Sequence, residues 1–140
     1  MKKREFLVPI ITPFHEDESV NYIALKKLVR HVLDCGADGI YACGASSEFM
    51  LLTHEEREKI LETVIEAADG AYVAAHIGAA STAEAQDLAR HAKTAGADCI
   101  ASIPPYWYTY TYEEMRGYFT AIADASNLPV MIYNIPNASK

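Results

Sequence analysis

Long apolar runs, basic clusters and paired cysteines are scarce in this sequence, and each scarcity excludes a class of protein. No apolar stretch exceeds the length of a strand, so we expect neither a signal peptide nor a membrane helix. The longest basic run is residues 2–4, and the net charge of -7 provides no electrostatic surface for nucleic acid or an anionic membrane. We therefore expect a cytoplasmic protein whose partner is a small molecule.

Cysteine is rare, and its three positions fit neither a disulfide framework nor a metal site. Cys35, Cys43 and Cys99 form an odd set without a C-x-x-C pair or a nearby histidine cluster. We expect reduced thiols, most of them buried, and no bound metal.

The residues that are present indicate alternating strands and helices. The chain of 140 residues is 51% hydrophobic, which is enough for a core. Five short apolar runs have the length of buried strands, at residues 6–11, 39–42, 72–76, 99–103 and 129–133. The first predicted helix spans residues 21–35, where apolar residues recur with the helical period. The other three begin at capping boxes, formed by Thr53 with Glu56, Ser81 with Glu84 and Thr111 with Glu114.

A weak internal repeat supports this alternation. The pattern G-A-D-x-I occurs at residues 36–40 and again at 96–100, and its glycine suits the left-handed end of the preceding helix. Strand, helix, strand is the sequence of a parallel sheet. The pattern alone leaves two folds open: part of a (β/α)8 barrel, or a complete five-stranded doubly wound domain of the flavodoxin type.

In both folds ligands meet the carboxyl ends of the strands, and polar residues follow two of them. The second strand is followed by Gly-Ala-Ser-Ser-Glu at residues 44–48, where backbone amides suit a carboxylate. The fifth is followed by Tyr-Asn-Ile-Pro at residues 133–136, which places a phenol at the same rim. Taken singly, the first segment fits an ordinary polar loop equally well, and Tyr133 fits a structural residue.

Together these segments resemble the N-acetylneuraminate lyase and dihydrodipicolinate synthase family of pyruvate-dependent class I aldolases. Residues 44–48 correspond to its G-[ST]-T-G-E carboxylate loop and residues 133–136 to its Y-N-[IV]-P strand end. Residues 9–14 and 105–108 look like its first and fourth strand ends. The resemblance implies the α/β class and the N-terminal part of a TIM (β/α)8 barrel, with about four βα units plus a fifth strand in one incomplete domain, residues 1–140.

The resemblance also implies a mechanism without a cofactor or a metal. A lysine on the sixth strand forms a Schiff base with pyruvate or another 2-keto acid. Ser46 and the backbone N–H of Ser47 would hold the keto-acid carboxylate, and Tyr133 would shuttle the proton. Contacts with the rim or with a neighbouring subunit of a homo-oligomer would come from Tyr106, Trp107 and Tyr108.

Two features favour the lyase branch of this family. Residues 75–78 read Ala-His-Ile-Gly, followed by Ser-Thr-Ala-Glu at residues 81–84, as in the lyases. Ala138 stands where dihydrodipicolinate synthases carry a carboxylate-binding arginine. We interpret His76 as a marker of the branch, packed under the rim and bonded to backbone, and not as a catalyst. A dihydrodipicolinate synthase or another 2-keto acid aldolase is the alternative within the family.

Three positions depart from the family pattern. Ala45 lacks the hydroxyl that usually links to the tyrosine. Ser47 replaces a glycine, where a Cβ would alter the backbone or crowd the substrate while its hydroxyl offers a substitute for the one lost at Ala45. Trp107 replaces a tyrosine of the synthases, and an indole donates a hydrogen bond but cannot accept one. These departures leave room for another keto-acid substrate.

No lysine of the sequence matches the Schiff-base position. The seven lysines precede the first strand, lie on predicted helices or follow the fifth strand: Lys2, Lys3, Lys26, Lys27, Lys59, Lys93 and Lys140. Regular barrel units would centre a sixth strand at about residues 157–163. We predict that the chain alone is inactive and that its open sheet edges make it self-associate. The alternative is a catalytically dead half-barrel that serves as an interaction or ligand-binding module.

Overall fold

The computed structural model describes residues 6–135, which form five strands and four α-helices in strict alternation. The elements are β1 (Leu7–Pro9), α1 (Tyr22–Asp34), β2 (Gly39–Ala42), α2 (His54–Ala68), β3 (Tyr72–His76), α3 (Thr82–Ala95), β4 (Cys99–Ser102), α4 (Tyr112–Ser126) and β5 (Val130–Ile132). Two single-turn 3-10 helices, Ala45–Ser47 and Phe49–Leu51, follow β2. Predictions that depend on Pro136, Ala138 and Lys140 lie outside the described residues.

The strand order decides between the two folds that the sequence pattern left open. All five strands are parallel and are hydrogen-bonded in the order β1-β2-β3-β4-β5. A flavodoxin-like sheet would place its first strand between the second and the third, so that alternative is wrong. Because every crossover advances in the same direction, right-handed connections put all the helices on one face. Successive helices accordingly pack against each other, as in consecutive units of a barrel.

Local signals set the helix ends. The boxes predicted at Thr53 and Thr111 are complete, with hydroxyl and carboxylate each bonded to a backbone amide. The third is only half formed, because Ser81 accepts the amide of Glu84 at 3.2 Å but no carboxylate bond returns. The first helix follows the N-cap Asn21, whose side chain accepts the amide of Ala24 at 2.9 Å.

The edge strands are shorter than predicted. β1 covers three residues and not 6–11, while β5 covers three and not 129–133. Each has a single neighbour, so its ladder ends where the pairing with that neighbour ends. The glycines of the repeat, Gly36 and Gly96, both have a φ of +99°, which confirms the predicted left-handed helix ends.

Alternate residues of the strands divide the sheet into a core face and a site face. On the helix side Ile40, Val73 and Ile100 are fully or nearly fully buried within the main hydrophobic cluster. Removing this apolar area from water provides the largest stabilisation, about 25 cal/mol for each Å² buried. The opposite face carries Tyr41 and His76. Within residues 6–135 no helix combines the length and apolarity needed to cross a membrane.

Candidate active site

A cavity of about 340 Å³ opens on the inner face of the sheet, between the edge strands β1 and β5. Its lining includes the predicted Ser46 and Tyr133, which come from distant parts of the chain. Ala45 and Tyr41 contribute to the same wall. The parallel topology accounts for this convergence, because the carboxyl ends of parallel strands share one edge of the sheet.

The turn Ala45–Ser47 exposes Ser46 and buries Ser47. The Ser47 hydroxyl donates to the carbonyl of Ile10 at 2.6 Å, and its backbone N–H donates to the carbonyl of Gly44 at 3.0 Å. The Ser47 carbonyl accepts the hydroxyl of Thr12 at 2.9 Å. The hydroxyl and the carbonyl of Ser47 therefore both bond to residues that follow β1, and these bonds tie the loop to that segment. Its hydroxyl does not replace the one that is missing at Ala45.

His76 is buried under this loop and contacts the residue before it. Its Nδ1 lies 2.9 Å from the carbonyl oxygen of Cys43, and because a carbonyl can only accept, Nδ1 carries the hydrogen. Burial, reinforced by the nearby Arg57 charge, lowers the pKa of His76 to about 3. The ring is thus neutral near pH 7. The interpretation of His76 as a packed histidine bonded to backbone is confirmed.

Arg57, on the first turn of α2, is a buried cation that was not predicted from the sequence. Its Nη2 donates to the carbonyl of His76 at 3.1 Å, and its guanidinium carbon lies 5.3 Å from the ring centroid of Phe49. Burial lowers the pKa of Arg57, and the carboxylate of Glu84 opposes this shift. One signal was available: Arg57 falls on the same helical stripe as the buried Ile60.

The three aromatic residues predicted at the rim have different environments. Tyr106 is half-buried, and its ring centroid lies 6.1 Å from that of Phe49. Trp107 is 86% exposed and has a left-handed φ of +85°. Tyr108 is also largely exposed. Tyr106 therefore packs beside Phe49, whereas the rings of Trp107 and Tyr108 are exposed.

Tyr133 closes the cavity on the β5 side. Its backbone N–H donates to the carbonyl of Ser102 at 2.8 Å, which continues the pairing of β5 with β4. Its ring packs edge to face against Tyr41, with 6.2 Å between centroids. Tyr41 was not predicted from the sequence either. Its only sequence signal was the alternation of side chains along a strand. It follows Ile40, which faces the helices, so Tyr41 faces away from them.

The lysines of the described part do not line this cavity. All four are on helices: Lys26, Lys27, Lys59 and Lys93. Lys26 is paired with Glu66 at 2.7 Å and Lys59 with Glu62 at 3.4 Å. Within residues 6–135, no group of three or more His, Cys, Asp or Glu side chains is arranged to hold a metal ion.

Known proteins share this sequence and this arrangement. The model of the Dihydrodipicolinate synthetase family matches residues 2–140. N-acetylneuraminate lyase of Escherichia coli is 37% identical over 138 residues, which cover 97% of this chain and 46% of the lyase.

Two solved structures illustrate the likeness in three dimensions. Dihydrodipicolinate synthase from Aquifex aeolicus has a TM-score of 0.93 and 37% identity, covering 98% of this chain and 47% of that one. A prophage protein of the dihydrodipicolinic acid synthase family from Escherichia coli, in complex with pyruvate, has a TM-score of 0.93 and 32% identity. The match covers 96% of this chain and 46% of that one.

The chain spans about half the length of the relatives that it matches. Its five parallel strands are the corresponding part of a TIM barrel, as the resemblance predicted. By its sequence and its fold, this chain belongs to the dihydrodipicolinate synthetase family of lyases and synthases.

Proposed function

We propose that this chain supplies the carboxylate loop and the proton-transferring tyrosine of a Schiff-base aldolase that breaks or forms a carbon–carbon bond with pyruvate. The observation that supports this most strongly is the cavity that Ser46 and Tyr133 line together. A solved relative in complex with pyruvate supports a 2-keto acid as the ligand.

In this proposal the exposed hydroxyl of Ser46 donates to the keto-acid carboxylate. A hydrogen bond to a charged group contributes about 1.5–3 kcal/mol. The Ser47 N–H already donates to Gly44, so it serves the carboxylate only as a shared donor. Ser46 is therefore the principal carboxylate ligand on this loop.

Tyr133 transfers the proton in this proposal, because its phenol stands at the mouth of the same cavity. A positioned acid or base of this kind contributes about 10²–10⁴-fold to the rate. The ring is held from one side by Tyr41. Ala45 has no hydroxyl, so the usual hydrogen-bond partner of the tyrosine is missing.

The lyase branch is the proposed specificity. His76, its marker, is a structural residue under the loop, and the similarity to N-acetylneuraminate lyase supports the assignment.

The exposed Trp107 and Tyr108 are the proposed contacts with a neighbouring subunit. The three cysteines form no disulfide, which supports a cytoplasmic location.

The isolated 140-residue chain is proposed to be inactive and to self-associate. Its four described lysines are on helices, and the strands β1 and β5 are open edges. A further groove of about 570 Å³ runs between α4 and β5, where Phe119, Val130 and Ile132 form an apolar wall. Size-exclusion chromatography should show dimers or larger species. A clean monomer at high concentration would contradict this part of the proposal.

Borohydride reduction in the presence of pyruvate, followed by intact-mass measurement, tests the chemistry. We expect no adduct on the 140-residue chain. We expect one pyruvyl adduct on a polypeptide in which a sixth strand with a lysine follows these residues. Failure of that longer polypeptide to form an adduct would refute the aldolase proposal, and an adduct on the short chain would refute its inactivity.

Two variants of the lysine-containing polypeptide test the assigned roles. Ser46→Ala should raise KM for pyruvate about tenfold through the lost carboxylate bond. Tyr133→Phe should lower kcat about 10²–10⁴-fold with little change in KM. Tyr22→Phe removes a phenol from the start of α1, outside the cavity lining, and should leave both constants unchanged.

A further inference from the structure

The hydroxyl of Tyr41 is buried and has no hydrogen-bond partner within residues 6–135. Buried phenol groups in proteins usually have a partner, because an unsatisfied buried hydroxyl has lost its water without replacement. An unsatisfied group of this kind calls for a structural or catalytic explanation. The position of Tyr41 indicates what that is.

The ring of Tyr41 extends beneath the carboxylate loop. A Cβ at Gly44 would lie 2.5 Å from Cε1 and 2.9 Å from Cδ1 of this ring, so the absence of a side chain at Gly44 makes the close approach possible. The ring lines the cavity beside Ala45 and meets Tyr133 edge to face at 6.2 Å. Tyr41 thus lies between the loop and the proposed proton-transferring tyrosine.

The other hydroxyls near the loop have other partners or tasks. Ser47 donates to Ile10 and does not line the cavity. Ser46 is assigned to the substrate carboxylate. Among the residues that line the cavity, Tyr41 is the remaining hydroxyl beside that of Tyr133.

The protonation state of the Tyr41 phenol suits a hydrogen-bond donor. Burial raises the pKa of Tyr41, and the neighbouring Tyr133 adds to this shift. Tyr41 therefore keeps its proton throughout the working range of pH. It can stabilise a negative oxygen nearby without transferring a proton itself.

We propose that Tyr41 is a positioning residue whose O–H donates a hydrogen bond to the Tyr133 oxygen, directly or through one water, in place of the hydroxyl that Ala45 lacks. This inference rests on the proposed aldolase function. When Tyr133 gives its proton to the substrate, its oxygen becomes a phenolate and accepts this bond, and Tyr41 keeps its own proton. Tyr133 is partly exposed at the open edge, and such bonds often tighten only when the substrate is bound.

Kinetics of Tyr41→Phe in the lysine-containing polypeptide test the proposal. We expect kcat to fall about 10- to 100-fold while KM for pyruvate changes less than about twofold. Adding Ala45→Ser to Tyr41→Phe should recover most of kcat. Tyr22→Phe is the matched loss of a phenol oxygen outside the cavity.

An unchanged kcat in Tyr41→Phe would overturn the proposal. A loss of activity without rescue by Ala45→Ser would also overturn it, since it would show a role in packing only. If the wild type forms no borohydride adduct, the proposed function fails, and a second measurement still tests the hydrogen bond. The ¹³Cζ NMR chemical shift of Tyr133 in the 140-residue chain should differ between the wild type and Tyr41→Phe, and an equal chemical shift would refute the bond.

Discussion

The hydroxyl of Ser47 donates a 2.6 Å hydrogen bond to the carbonyl of Ile10, and this bond ties the carboxylate loop to the end of β1. Ser47 stands where the G-[ST]-T-G-E pattern has glycine, so the sequence predicted an altered backbone or a crowded substrate. Ser47 is absent from the described residues with positive φ, whereas the next residue, Glu48, has a φ of +57°. A serine is therefore accommodated without backbone strain, and its side chain lies in the protein and not in the cavity.

Replacing Ser47 by alanine should destabilise the protein by about 1–3 kcal/mol, because the buried Ile10 carbonyl loses its donor. The midpoint of urea unfolding measures this change. Ser46→Ala, at an exposed position on the same turn, is the control and should change the free energy of unfolding by less than about 0.5 kcal/mol. Equal stability of Ser47→Ala and the wild type would show that the bond contributes nothing.

His76 should make the protein sensitive to acid. Its pKa of about 3 in the folded state lies below its value of about 6.5 in the unfolded chain, so the unfolded state binds more protons between these limits. The free energy of unfolding should therefore fall as the pH drops from about 6.5 towards 3, by up to about 1.4 kcal/mol per pH unit. His76→Gln should remove this component from urea unfolding curves recorded between pH 4.5 and 7.

The exposed His15 provides the control for this effect. His15→Gln should keep the wild-type dependence on pH, because no buried imidazole is lost. Parallel pH dependences for His76→Gln and the wild type would mean that His76 is not held in its neutral form by burial.

Gly44→Ala should destabilise the protein by about 1–3 kcal/mol, because the new Cβ would lie 2.5 Å from the Tyr41 ring and force it to move. Thermal unfolding measures the loss. Gly117→Ala, within α4, meets no atom within 4 Å and should stabilise the helix by about 0.5–1 kcal/mol. If both alanines have the same effect, Tyr41 does not pack against Gly44 as described.

The left-handed backbone of Trp107 should favour glycine over alanine. With a φ of +85°, Trp107→Gly should be more stable than Trp107→Ala by about 1 kcal/mol, since glycine has no Cβ to clash in this conformation. Differential scanning calorimetry of the two variants gives the comparison. At Tyr108, which has no positive φ, the order should reverse, with glycine less stable by about 0.5–1 kcal/mol. A reversed order at Trp107 would contradict its assigned conformation.

Several features followed from the sequence because their causes are local. Capping boxes, strand-length apolar runs and the glycines of the repeat each involve residues a few positions apart, and the structure confirms their elements. Ser46 and Tyr133 were expected at one rim because parallel strands place their carboxyl ends together, and they do line one cavity. The incomplete box at Ser81 shows the limit of a local rule, since the S-x-x-E pattern is present but the carboxylate of Glu84 does not bond to the Ser81 amide.

The tertiary structure decided what depends on contacts between distant parts of the chain. The same strand–helix alternation fits a barrel or a flavodoxin-like sheet, and only the hydrogen-bonded order of the strands separates them. The direction of the Ser47 hydroxyl depends on Ile10, 37 positions earlier. The burial of Arg57 and of the Tyr41 hydroxyl depends on how loop, helix and sheet pack together. By itself the sequence determined the elements and the family, while packing determined which side chains reach the cavity.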